Sequence, residues 1–261
     1  MAQVLGLGIS HYPLLNRLDS DMSAILRMRL ADPDVPAEVK DPRSWPAVMR
    51  EEWANDQGTK AAGRHRERML SGLRKVRQAL DEFKPDLVVI WGDDQYENFK
   101  EDIIPPFCVL AYSDMAIRPW AQAHESAMVA GKANVWAEPA DKSFDVRFHR
   151  EAAKHLTTGL LSADFDISYA YKPLHHAGLS HAFLNAILYL DYDRRGFDYP
   201  IVPIQINCYG ELVVSHRGFV SSYADRDKPL DPPSPSPKRC FDFGATAVSY
   251  THLTLPTNRE V

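Results

Sequence analysis

Residues 86–95 read DLVVIWGDDQ, an unbroken apolar run that opens into a glycine and three polar residues. An apolar run of strand length bounded by breakers is the pattern of a strand buried on both faces, and its polar end is where such a strand delivers functional side chains. Immediately before it, from Lys60 to Phe83, the apolar residues Met69, Leu73, Val76, Leu80 and Phe83 recur at steps of three and four, with Arg and Lys between them. That spacing predicts an amphipathic helix, and Pro85 stops it. Immediately after comes PPFCVLAY (105–112), which predicts another strand. Helix, tight turn and buried strand in succession is the rhythm of an α/β domain.

Outward from this segment the same signals repeat. QVLGLGI (3–9) is a short apolar run ending at Ser10-His11 and is expected to be a buried first strand. ADPDVPAEVKDPRSW (31–45) reads as loop from its Pro and Asp content. HREAAKHLTTGLL (149–161) and SHAFLNAILYL (180–190) predict helices, DISYAY (166–171) a strand, and YPIVPIQINCY (199–209) a central strand interrupted by Pro203. PLDPPSPSPKR (229–239) is expected to be an extended, polyproline-like connector. No internal repeat is present.

Composition narrows the class of function. With 30 Lys+Arg against 35 Asp+Glu, the net charge is −5, and no block of basic residues occurs. A nucleic-acid or anionic-membrane surface is therefore not expected as the main partner; a small molecule or a protein is. The three cysteines, Cys108, Cys208 and Cys240, are far apart and show no CxxC spacing, which fits neither a disulfide framework nor a zinc knuckle. The N-terminus has no basic leader, and no run approaches the roughly 18 apolar residues of a membrane span. The expected location is the cytoplasm.

Three polar clusters stand where apolar runs end: Ser10-His11-Tyr12, the turn Asp93-Asp94-Gln95-Tyr96-Glu97-Asn98, and His175-His176 with His181 following. In open α/β sheets, ligands bind beyond the carboxyl ends of strands, so clusters far apart in sequence can converge there. Histidine with carboxylate can hold a divalent metal, and histidine alone can act as acid or base near neutral pH. Each cluster also has a structural reading: a solvated loop for DDQYEN, and a helix N-terminus capped by Ser180 for HHAGLSH. Neither a GxSxG elbow, a GxxxxGK[ST] loop nor an HExxH helix occurs, which argues against a serine hydrolase, a P-loop enzyme and a zincin.

Taken in order, GISHYPLL, VVIWGDDQYENFKEDIIPPFCV, FHREAAKHL, HHAGLSHAFL, YPIVPIQIN and PSPKRCFDFG resemble the class III extradiol ring-cleavage dioxygenases, the family of the protocatechuate 4,5-dioxygenase β subunit. The resemblance runs over most of residues 1–247. It implies an α/β fold with a mixed central β-sheet flanked by helices, and a non-haem Fe(II) site where a catechol-type diol is cleaved with O2. By this resemblance, His11 falls on an iron ligand of the SHxP motif. Gln95 falls on a position that is normally a histidine ligand, with Asp94 or His65 as possible substitutes. His176, or His175 beside it, falls on the histidine of the Asp-His-Gly motif that contacts substrate or moves a proton. Tyr12, Tyr96 and His181 are expected to border the substrate.

The departure at Gln95 leaves a second reading open, a homologue or subunit without catalysis that uses the fold for binding or assembly. The final stretch, VSYTHLTLPTNREV (248–261), matches a translated frame of a transposase mosaic end and sequencing adapter, so 1–247 is expected to be native and 248–261 foreign. On this expectation the family's glutamate ligand and its late Ser-His histidine lie past Ala247, and the 261-residue polypeptide is weakly active or inactive. A homo-oligomer or a small partner subunit is a further implication of the resemblance.

Overall fold

The computed structural model describes residues 3–122, 131–208, 210–212, 214 and 231–251. In chain order the elements are α1 (Ala24–Ala31), α2 (Ala37–Lys40), α3 (Ala47–Trp53), α4 (Thr59–Phe83), β1 (Val88–Asp93), β2 (Phe107–Leu110), β3 (Met115–Ile117), α5 (Pro119–Gln122), β4 (Phe144–Val146), α6 (Arg150–Ser162), β5 (Ser168–Ala170), α7 (His181–Leu190), β6 (Ile201–Ile206) and α8 (Pro237–Thr251). The central sheet has the order β1-β6-β2-β5. It is mixed: β1 pairs with β6 and β2 with β5 in parallel, while β2 and β6 run antiparallel. A separate antiparallel pair joins β3 to β4.

The side-chain period of two sorts the sheet between two helical layers. Cys108, Leu110 and Ile201 face the α4 and α7 side, with Leu70, Leu73, Phe183 and Ile187. Phe107, Val109, Val202 and Ile204 face α6 and α8, with Leu156, Leu160 and Phe243. The architecture is thus α/β, a mixed central sheet flanked by helices. Helix α7 is apolar apart from His181 and Asn185, and every residue from Ala182 to Leu190 is buried, because it lies between β1 and α4. Pro203 is tolerated inside a central strand because the β2 ladder stops at Ile204, so no N–H is demanded of residue 203 on that side.

Several expectations need correction. Residues 3–9 are not a buried strand: they pair with nothing among the described residues, and Val4, Leu5, Leu7 and Ile9 are exposed. Apolar periodicity reports a capacity to pair, and no neighbouring strand edge takes this segment up. The 31–45 loop contains α2 and a 3₁₀ turn at Pro42–Ser44, where Asp41 accepts a bond from the Arg43 N–H. The expected connector 229–239 ends in helix, since α8 begins at Pro237 with proline in its first turn, where the missing N–H costs nothing; residues 229–230 lie outside the described part. Helix α8 continues through Val248–Thr251, the first four residues of the stretch expected to be foreign, and the Tyr250 ring lies over Gly159 of α6. Residues 252–261 lie outside the described part.

Glycine 92 has a specific structural task. A Cβ there would stand 2.8 Å from Cε1 of Phe183, so its absence lets α7 lie close against β1. Gly92→Ala is expected to destabilise the protein by about 1–3 kcal/mol through overpacking. Urea denaturation checks this, and an unchanged midpoint would contradict the close approach.

Candidate functional site

The parallel strands β1 and β6 end together at Asp93 and Ile206, beside the antiparallel neighbour β2. The turn that follows β1 is built by side chains. Asp94 is buried, and its carboxylate accepts the backbone N–H groups of Glu97, Asn98 and Phe99 at 2.9–3.3 Å. Burial pushes its pKa up to about 6, against the three backbone bonds that favour the ionised form. Tyr96 takes the left-handed conformation at φ 61°, which closes the turn. Asn98, also buried, donates to the Tyr112 hydroxyl and accepts the Leu174 N–H at 2.6 Å. That second bond ties the turn to the segment carrying His175 and His176.

Helix α7 places both remaining histidines. Its Asn185 donates to the His11 carbonyl at 3.2 Å and its Tyr189 hydroxyl to the Tyr12 carbonyl at 2.6 Å, so the His11-Tyr12 backbone is suspended from the helix. The His11 ring then lies with Nε2 3.6 Å from Asp93 Oδ1 and its centroid 5.2 Å from that of His181. Gln95 donates its amide N–H to the other Asp93 oxygen at 3.1 Å. Ser180 stands at the N-cap of α7 without a side-chain cap bond, and its hydroxyl instead donates to the Asp93 carbonyl. The cap comes from Glu97, whose carboxylate accepts the His181 backbone N–H at 3.0 and 3.2 Å.

The same carboxylate also holds the His181 ring, with Nδ1 2.8 Å from Oε2. Burial disfavours ionisation of Glu97, but the His181 bond and the nearby charge of His176 outweigh it, and its pKa is lowered. Burial likewise works against charge on His181, and Glu97, with Asp93 and Asp94 behind it, outweighs that and raises the pKa. Both shifts favour an ion pair.

The structure therefore gathers His11, Gln95, Asp94 and His181 around the end of β1, with His176 near enough to act on Glu97. His175 turns away: its Nε2 is 2.9 Å from Asp102 at an exposed position. Tyr96 lies under the Lys100 ammonium, 5.7 Å from the ring centroid. Tyr12 donates to the Met22 carbonyl at 2.5 Å and lines a cleft of about 420 Å³ with Ser10, Met49, Trp53, His65 and Met69. Sequence reasoning did not single out Asp93, Glu97 or Asn98 individually. Glu97 pairs with a residue 84 positions away, for which no local spacing gives a signal.

An iron site is not complete in this arrangement. Among the described residues, no group of three His, Cys, Asp or Glu is placed to hold a metal ion. Both Asp94 oxygens are occupied by backbone N–H groups, and the Gln95 amide is bound to Asp93. Among the described residues, no helix is long and apolar enough to cross a membrane.

A sheet whose polar side chains converge at a strand end beside a change of strand direction is the arrangement of an α/β ligand-binding or catalytic site. The chain is similar to aromatic-diol dioxygenases. It is 31% identical over 142 residues to the 2,3-dihydroxyphenylpropionate/2,3-dihydroxicinnamic acid 1,2-dioxygenase of Paraburkholderia xenovorans, a match covering 54% of this chain and 37% of that protein. The enzyme named 2,3-dihydroxyphenylpropionate/2,3-dihydroxicinnamic acid 1,2-dioxygenase 2 from Pseudomonas putida is 26% identical over 137 residues, 52% of this chain and 35% of that protein. The match thus spans little more than a third of these relatives' length, and neither carries the protocatechuate name that the motifs suggest. No protein-family model matches the chain.

The Glu97–His181 pair has a defined pH signature. Glu97, its pKa lowered, adds stability above its unfolded value of 4.5 and loses it as pH falls through the folded value; His181, its pKa raised, adds stability below 6.5 and loses it as pH rises through the folded value. The stability gap between wild type and Glu97→Gln is expected to be widest between these two values, about 1–3 kcal/mol, and to narrow on both sides. Urea denaturation across pH 4–9 measures it; a gap independent of pH would contradict the ion pair.

Proposed function

We propose that this chain comes from an extradiol dioxygenase that opens a catechol-type ring with O2, using Fe(II). The observation that supports the reading is the similarity to named diol dioxygenases over about half of the chain, in a protein whose His11 and His181 lie side by side at the end of β1. The relatives' names make 2,3-dihydroxyphenylpropanoid diols the first substrates to consider, ahead of protocatechuate. The cleft beside Tyr12 adjoins His11 in the chain through Ser10 and Tyr12, and its thioether and indole side chains offer a face for the apolar part of a substrate. Within this proposal His11 is the donor this chain offers to iron. His176 and His181 contact the diol, with His175 at the rim. Fe(II), when bound, supplies activation of O2 and of the diol; the chain's own residues orient the ring and handle its protons. A cytoplasmic protein, homo-oligomeric or paired with a small subunit, is part of the same proposal.

A second reading has its own support. With Gln95 held by Asp93 and no three metal donors together among the described residues, the fold could serve binding or assembly without catalysis.

One experiment separates them. The 261-residue chain and the full product of its source gene are loaded with Fe(II) without air, and O2 uptake is followed with catechol, protocatechuate, gallate and 2,3-dihydroxyphenylpropionate. The expected result is uptake by the full gene product, weak or none by the 261-residue chain, abolition by an iron chelator, and at least a hundredfold loss in His11→Ala, in line with removal of a metal ligand. A folded, iron-loaded gene product that takes up no O2 would sink the enzyme reading, and negligible iron retention would favour the binding module.

A further inference from the structure

Three helices form the cleft beside Tyr12. Leu26 of α1, Met49 and Trp53 of α3, and Met69 of α4 supply apolar walls. The space between them exists because Gly58, Ala61 and Ala62, where α4 begins, carry little or no side chain. At about 420 Å³ the cleft exceeds the roughly 150 Å³ that holds benzene in an apolar cavity, so an aryl ring or a short alkyl chain fits. Its charge is one-sided. Glu52 is the one acidic side chain among the described lining residues, none of which is Lys or Arg, and it makes no ion pair among the described residues. Two guanidinium groups stand behind the lining: Arg27 donates to Ser23 Oγ at 2.8 Å and lies 3.8 Å from Asp21, and the exposed Arg68 lies 3.4 Å from His65 Nδ1. Neither is part of the wall, whereas Glu52 is.

We propose that this cleft is the subsite for the substituent of the diol and that Glu52 makes it select substituents that are apolar and carry no negative charge; this rests on the dioxygenase reading above. The preferred substrate class is then a diol bearing a neutral aryl or alkyl group, in contrast to the propionate in the relatives' names. Ser10 and Tyr12 connect the cleft to His11. Both line it, and the Tyr12 N–H donates to Ser10 Oγ at 3.3 Å, which draws the three residues into one tight bend. Consecutive Cα atoms are about 3.8 Å apart, so a diol at His11 and a group in the cleft are separated by the span of one residue. A carboxylate on that group would be repelled by Glu52, and Asp93, 3.6 Å from His11 Nε2, adds negative charge on the other side. Discrimination of this kind comes from a repulsive element: the apolar walls accept either substituent, and the charge rejects one.

The test uses a pair of ligands that differ in charge and hardly in shape, 2,3-dihydroxyphenylpropionate and its neutral propionamide, with biphenyl-2,3-diol as a probe of occupancy. NMR of the 261-residue chain with methyl-labelled methionine, without air, reads the cleft directly, because Met22, Met49 and Met69 line it. Biphenyl-2,3-diol is expected to shift these three methyl signals, and Ala61→Leu, which fills the space, to abolish the shift. The propionamide is expected to bind at least about fivefold more tightly than the propionate, and Glu52→Gln to bring the two within about twofold. In the O2-uptake assay with the full gene product, the ratio of kcat/KM for propionamide over propionate should fall in Glu52→Gln by a similar factor. Where Ala61→Leu fails to fold, the exposed Glu52→Gln carries the test. Unmoved methyl signals, propionate bound as tightly as propionamide in the wild type, or a ratio indifferent to Glu52→Gln overturns the proposal and leaves the dioxygenase reading standing. A folded, iron-loaded gene product that consumes no O2 with any diol removes that reading, and the subsite falls with it.

Discussion

The buried carboxylate of Asp94, accepting three consecutive backbone N–H groups, fixes the course of the chain after β1. A buried carboxylate without such partners would be costly, so the turn and the charge sustain each other. The side chains flanking Asp94 then have defined directions. Asp93 holds His11 and Gln95, Glu97 holds His181, and Asn98 holds the Leu174 N–H. His11, Leu174 and His181 come from segments far from the turn in sequence, and the turn is where they meet.

Helix α7 is the second fixed element. It lies close to β1 because residue 92 has no Cβ, and from that position it carries His181 at its first turn and the carbonyls of His11 and Tyr12 on Asn185 and Tyr189. His11 is therefore placed by a helix and not by a strand leading up to it. This explains how the histidine reaches the site although residues 3–9 are exposed and unpaired among the described residues.

The legible parts of the fold were those with strong local periodicity. The amphipathic spacing from Met69 to Phe83 became α4, the run before Gly92 became β1, and SHAFLNAILYL became α7. The VLGLGI run carries the same kind of signal as the segment before Gly92, but an apolar pattern does not say whether a sheet edge is available, and here the expectation failed. Local motifs also pointed to His11, the DDQYEN turn and His181. Their pairing was not legible, because hydrogen bonds such as Glu97 to His181 or Asn98 to Leu174 join residues 84 and 76 positions apart and depend on how α7 and the sheet are stacked. Ser180 is the instructive case. Its residue type suits an N-cap, yet the glutamate across the turn takes the backbone N–H and the serine bonds to Asp93 instead.

The claim on which the rest stands is that Glu97 and His181 form a charged, coupled pair across the end of β1. A double-mutant cycle with Glu97→Ala and His181→Ala, read by urea denaturation at about pH 6, isolates that coupling from whatever each side chain does alone. The account predicts a coupling energy of about 1–3 kcal/mol that shrinks above the raised pKa of His181. A coupling below about 0.3 kcal/mol at every pH, within the ordinary additivity of independent sites, would contradict it.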